Sequence, residues 1–165
     1  MKNKPGFTFQ LDHIGADGKL ISSEMIHNLM PTVAVDYVLN AAFRGGTAYS
    51  NYYMSLYTAN RTPVDADTMT LLLADCVEET TYTTTSTNRL LITLPAPSSG
   101  VITPSATVFP FTGAATVRGA FITTNITRGN NGGLLISAVL FASAKTMAAG
   151  ESLSIPSTFT LADTL

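Results

Sequence analysis

The sequence predicts a mainly β chain: a β-sandwich or jelly roll with one or two short helices in its N-terminal third. Three observations point there. Apolar side chains recur at every second residue in short runs over most of the chain, as strands with one buried face require. Gly- and Pro-rich stretches such as Gly15-Ala16-Asp17-Gly18 and Pro95-Ala96-Pro97-Ser98-Ser99-Gly100 cut these runs into strand-length pieces. The last 76 residues, from Leu90, are rich in Thr, Ser, Ala, Val, Leu and Phe and hold only five charged side chains: Arg118, Arg128, Lys145, Glu151 and Asp163. Eight or so such strands with turns between them suit a two-sheet domain.

Taken in order, Phe7, Phe9 and Leu11 alternate with Thr8 and Gln10 as a short strand, and the Gly15 to Gly18 turn follows. Ser22 or Ser23 is placed to cap a helical turn over Glu24 to Leu29, which Pro31 stops. Thr32 is expected to cap a helix over Val33 to Phe43, with Val35, Val38, Leu39 and Ala42 on one face and Gly45-Gly46 at its end. Asn51 to Thr58 reads as a strand with Tyr52, Met54 and Leu56 on one side and Tyr53, Ser55 and Tyr57 on the other. Met69 to Ala74 fits a short helix or a buried strand equally well. Glu79 to Thr87 is expected to be an exposed, Thr-rich strand. Arg89 to Leu94 turns Leu90, Ile92 and Leu94 inward, and Ala115 to Ile126 is the longest strand. Leu134 to Ser143 is apolar on both faces, so both must be covered. A final strand runs from Glu151 to Leu161.

At 165 residues the chain fits one domain. Its composition divides it into an N-terminal arm, residues 1–30, and a β-sandwich domain, residues 31–165. Charged residues make up 12% of the sequence, against ~25% in an average soluble domain. Neutral hydroxyls, other protein chains, or both must therefore cover part of the surface. The densest apolar run, Gly133 to Ala142, is about half the length of a membrane-spanning helix, so no membrane contact is expected. Net charge is −2 and the basic residues are scattered, which argues against direct nucleic-acid binding. The N-terminus lacks the apolar core of a secretion signal and reads as a cytoplasmic start.

No cluster announces a reaction. Asp65, Asp67, Asp75, Glu78 and Glu79 gather closely enough to suggest calcium, but their spacing matches no EF-hand loop. A solvated loop leading into a strand explains them better. His13 and His27 have no nucleophile beside them in sequence, and there is no Gly-x-Ser-x-Gly elbow. Cys76, the only cysteine, sits among acids that disfavour its thiolate. The expectation is therefore a non-enzyme with no cofactor and no metal. Tyr is common at protein contacts because it joins apolar area to a hydroxyl. That makes Tyr49, Tyr53 and Tyr57 candidate contact residues, along with Phe7, Phe9, Met25 and Met30 of the arm.

Several segments together resemble the small structural proteins of tailed-bacteriophage virions. They are Asn28-Leu29-Met30-Pro31 leading into a helix, Tyr52-Tyr53-Met54-Ser55-Leu56-Tyr57, Val117-Arg118-Gly119-Ala120-Phe121-Ile122-Thr123-Thr124, Gly133-Leu134-Leu135-Ile136-Ser137 and Ala148-Ala149-Gly150-Glu151-Ser152-Leu153. The type it is similar to is the jelly-roll cement or decoration protein. That resemblance implies a homo-oligomer made in the host cytoplasm that binds major capsid protein, or other virion proteins, on the capsid surface. Relatives often carry Trp in the first aromatic strand and this chain has none. A tail connector or fibre component therefore stays open as the alternative. A carbohydrate-binding sandwich module using Tyr49 to Tyr57 is the more distant one.

Overall fold

The chain, described here by a computed structural model over residues 6–82 and 87–160, begins with a hairpin of two long strands. β1 (Gly6–Ile14) and β2 (Leu20–His27) pair antiparallel from Thr8↔His27 to Ile14↔Leu20. The turn between them uses Gly18 at φ 78°, and the Gly15 N–H bonds the Lys19 carbonyl. The expected helical turn over Glu24 to Leu29 is thus mostly strand. As a strand the segment bonds β1 along its length and turns Ile26 inward beside Phe9.

The helix α1 (Thr32–Phe43) follows, then β3 (Tyr52–Tyr57), the short helix α2 (Met69–Asp75) and β4 (Leu90–Ile92). After these come β5 (Val101–Ile102), β6 (Thr107–Pro110), β7 (Ala115–Thr123), β8 (Leu135–Met147), β9 (Ser152–Ile155) and β10 (Ser157–Thr160). They form two antiparallel sheets packed as a sandwich, the class the sequence predicts. One holds β5, β10, β1, β9 and β6, with β2 on the other edge of β1; the second runs β4-β3-β7-β8. Phe9, Leu11, Leu153 and Ile155 of the first sheet meet Met54, Leu56, Ala120 and Ile122 of the second in the shared core.

Several local expectations change. α1 starts one residue early, on Pro31, whose carbonyl accepts from Val35; Thr32 caps nothing and donates its N–H to the Asp65 carbonyl. Its packed face is rotated, with Ala34 fully buried, Tyr37 and Val38 half-buried, and Leu39 and Ala42 exposed. The small Ala34 permits close approach to the sheet, and the Tyr37 hydroxyl fixes the rotation by bonding Tyr52 Oη at 2.9 Å. Met69 to Ala74 resolves as helix because Thr68 Oγ1 accepts the Leu71 N–H. α1 is the one helix of the N-terminal third among the described residues, and α2 lies in the middle third.

Glu79 to Thr87 is not the expected exposed strand where it is described. Glu79 and Tyr82 are buried, and among the described residues there the one bridge pairs Tyr82 with Phe111; the part of that expectation at residues 83–86 lies outside the described residues. The final strand breaks at Pro156, which has no N–H for a ladder, into β9 and β10, both still paired to β1; its expected end at Leu161 lies outside the described residues. The strand expected to extend from Arg89 to Leu94 ends at Ile92, leaving Leu94 exposed.

The division into an arm and a domain also gives way. β1 is the strand on which the first sheet is built, bonded to β2 along one edge and to β10 and β9 along the other. Phe9 and Leu11 are fully buried, each worth roughly 1.5–3 kcal/mol of transfer free energy. Beyond β2, Leu29 pairs with Ala138 at the free edge of the second sheet and exchanges both backbone bonds with it. Residues 6–30 therefore join both sheets.

Candidate interaction surface

The two sheets are treated unequally by their own chain. The outer face of the second sheet is covered: Met69 and Leu72 of α2, with Cys76, pack on Tyr57, Phe121, Leu135 and Ala138. Beside them lies a buried ion pair. Arg89 holds Glu78 through two bonds, Nε to Oε1 at 2.9 Å and Nη2 to Oε2 at 3.0 Å. Its Nη1 and Nη2 also reach the carbonyls of Asn125 and Asn130, and Glu78 also accepts from Ser55 Oγ and the Gly129 N–H. Four of the five guanidinium N–H groups and both Glu78 oxygens are used, as burial of two charges demands.

The outer face of the first sheet carries no such cover among the described residues. Alternation along β1 sends Phe7, Phe9 and Leu11 inward and Thr8, Gln10 and Asp12 outward. Ladder partners share a face, so Ser23, Met25 and His27 of β2, Ser152 and Ser154 of β9, and Thr158 and Thr160 of β10 look outward too. The face is a lattice of hydroxyls, with Thr8, Ser152, Thr158 and Thr160 partly exposed and Ser154 buried between its neighbours, and with apolar patches at Met25 (69% exposed), Leu20 (60%) and Val108 (46%). Asp12 is its one carboxylate among the described strand residues. It accepts from Gln10 Nε2 at 2.9 Å and Ser23 Oγ at 2.6 Å. Glu24 points inward to Lys145 Nζ at 2.8 Å, so β2 adds no acid to this surface.

The seven contact candidates named from the sequence separate. Phe7, Phe9, Met30 and Tyr57 belong to the interior, at 9%, 0%, 7% and 0% exposure. They are core because β1 is central and because the Tyr57 hydroxyl donates to the Val139 carbonyl at 2.8 Å. Met25 alone lies on the bare face. Tyr49, half exposed, stacks against Tyr37 at the α1 end, with ring centroids 5.4 Å apart. Tyr53 is on the outer face of the second sheet, beside Leu91 and Thr123. Tyr49, Tyr53 and Tyr57 therefore form no common platform on which a sugar ring would stack. The hydroxyl positions Thr8, Ser152, Ser154, Thr158 and Thr160 escaped the sequence reading. Their alternation with apolar residues was the available signal.

The candidate chemistry is likewise dispersed. Asp67 and Asp75 both hold Arg61, and Glu78 holds Arg89. Glu79 Oε1 takes the amides of Thr80 and Thr81 at 2.7 Å each. Three of the five acids, Asp67, Glu78 and Glu79, are buried rather than solvated, because each found internal donors. Among the described residues no group of three or more His, Cys, Asp or Glu side chains is placed to hold a metal.

Burial alone would raise the Asp67 carboxyl; the Arg61 guanidinium and the Val64 N–H outweigh it and hold the group below the ordinary range. His13 Nε2 lies 3.0 Å from Glu151 Oε2. The Ala148 N–H, and after it His13, keep Glu151 below its usual value. Burial pushes the Cys76 thiol up to about 11, with Arg61 opposing and Asp75 and Asp67 adding to the rise. A thiol so placed is a poor nucleophile.

No described helix is long and apolar enough to cross a membrane. Comparison with protein-family models and with curated proteins returns no match for this chain.

Proposed function

We propose that this chain is a non-enzymatic structural protein that lies against neighbouring protein subunits through the outer face of its first sheet. The observation that carries the reading is the contrast between the faces. One is covered over its centre by α2 and a buried polar network, the other is hydroxyl-rich, nearly free of charge and uncovered among the described residues. Hydroxyls and small apolar groups cost less to desolvate than charges do. A sheet face of this kind can therefore be covered without stranding a buried ion. Repetition over a symmetric shell lets modest contacts add through multivalency.

Joined to the resemblance described above, the reading is a capsid cement or decoration protein that stabilises the head of a tailed phage, acting as a homo-oligomer. The test mixes purified protein with undecorated heads of its phage and measures bound copies by sedimentation and electron microscopy. A fixed copy ratio is expected, lost on Gln10→Lys combined with Thr158→Lys while the melting temperature holds. A chain that stays monomeric at high concentration and binds neither heads nor any other virion component overturns the reading. Copies at the tail instead of the head move it to the connector or fibre role.

A further inference from the structure

At the α1 end of the sandwich the two sheets part around a slot of about 120 Å³. Its floor is Phe7, Ile92, Ile122 and Ile136, all buried; its rim is Val38 of α1, Leu94, Ile102 of β5 and Phe159 of β10, each at least partly exposed. Among the described residues, the only side-chain hydroxyls on the wall belong to Tyr37 and Tyr52. They bond each other at 2.9 Å, and the Tyr49 N–H donates to Tyr37 Oη at 2.7 Å. Among the described residues, no cation or carboxylate lines the slot.

We infer that this slot is a binding site for a small, uncharged, apolar molecule: one aromatic ring or a branched alkyl group of similar size. Size and polarity carry the argument. Engineered apolar cavities of about 150 Å³ stay empty of water and take up benzene or xenon. A resident water needs two to four polar partners, and the wall offers only this hydroxyl pair, whose mutual bond leaves a single O–H to give. A charged ligand would lose its hydration with nothing to replace it. Entry asks little of the fold, because the rim is partly open and Ile102 belongs to a two-residue strand at the sheet edge. The inference stands apart from the assembly role and uses none of the residues on the bare face.

The experiment titrates the full-length protein with toluene and follows the isoleucine δ1 methyl resonances by NMR, with benzoate as the charged counterpart. Saturable shifts are expected at Ile92, Ile102, Ile122 and Ile136, with none at Ile14 or Ile155 and none from benzoate. Filling the slot from its rim by Val38→Phe or by Ile102→Phe should weaken toluene binding at least tenfold. Because both side chains are partly exposed, each variant should keep its melting temperature, and loss of binding in either folded variant supports the site. Three results overturn it: shifts that never saturate up to the solubility of toluene, an equal response to benzoate, or undiminished binding in both variants.

Discussion

Charge is so scarce in this chain that where each charged side chain goes decides much of its behaviour. Arg89 and Glu78 are spent inside, and so is Lys145 against Glu24. Removing one member of a buried pair leaves the other uncompensated, typically at 3–5 kcal/mol. Arg89→Ala should therefore lower unfolding stability by about that much in a urea titration. Asp67 gives a pH dependence of definite sign. Its folded-state carboxyl lies below the ordinary value of about 4, so as pH falls the unfolded chain takes the proton first. The stability that Asp67 contributes is thus fully present above about pH 4 and drains as pH drops through the folded-state value. Asp67→Asn should flatten the acid limb of a melting-temperature profile, and Glu151 should keep a residual slope of the same sign. Cys76, buried and with its thiol pushed up to about 11, should react with a thiol reagent at neutral pH no faster than the protein unfolds. Reaction on mixing would contradict that burial. The sequence predicts a poorly nucleophilic Cys76 from its acidic neighbours, and in the fold burial is the larger cause of the raised thiol. The sequence did not foretell buried Glu78 and Glu79, because their partners are remote in the chain or are backbone amides that only the folded turn presents.

Among the elements, β8 shows how one extra residue undoes a reading by alternation. Thr123 faces Leu135 while Ile122 faces Ser137, so Ile136 is an added residue and a bulge. Past it the faces exchange. Leu135, Ala138 and Leu140 serve the α2 side, while Ile136, Val139 and Phe141 serve the shared core. Both faces are covered, as the unbroken apolar run required, but their membership follows the bulge and not simple parity. Gly119 in β7 is the closest approach in the second sheet. A Cβ there would land on the Tyr57 ring and the Val139 carbonyl. Neither can retreat easily, since Tyr57 is fully buried and bonded to that same carbonyl. Gly119→Ala should cost about 1–3 kcal/mol or more and should speed labelling of the neighbouring Cys76; a wild-type urea midpoint would refute this packing. The helices were legible in part. α1 came from its spacing and its glycine stop, while its rotation was settled by one Tyr–Tyr bond to a strand the helix pattern does not contain.

For the molecule as a whole, the first thirty residues are the sharpest test. Were they a separable arm, deleting residues 1–30 would leave a folded sandwich. With β1 central and Phe9 and Leu11 fully buried, the truncated chain should instead lose its cooperative melting transition by circular dichroism. The nearly uncharged face gives a second test. Surface charges are strongly screened at physiological salt, so a charge-poor contact should keep its binding ratio from low to high salt. Dissociation by salt would place the contact on the charged loops. What the amino-acid order determined by itself was the class of structure: alternating apolar residues, turn punctuation and missing charge give strands in two layers with a neutral coat, because those signals act over a few residues at a time. Only the tertiary structure decided which face stays bare, which aromatic residues are core, and where the slot opens. Those outcomes depend on pairings such as β1 with β10, more than a hundred residues apart, and no local pattern encodes which distant strand will cover a given side chain.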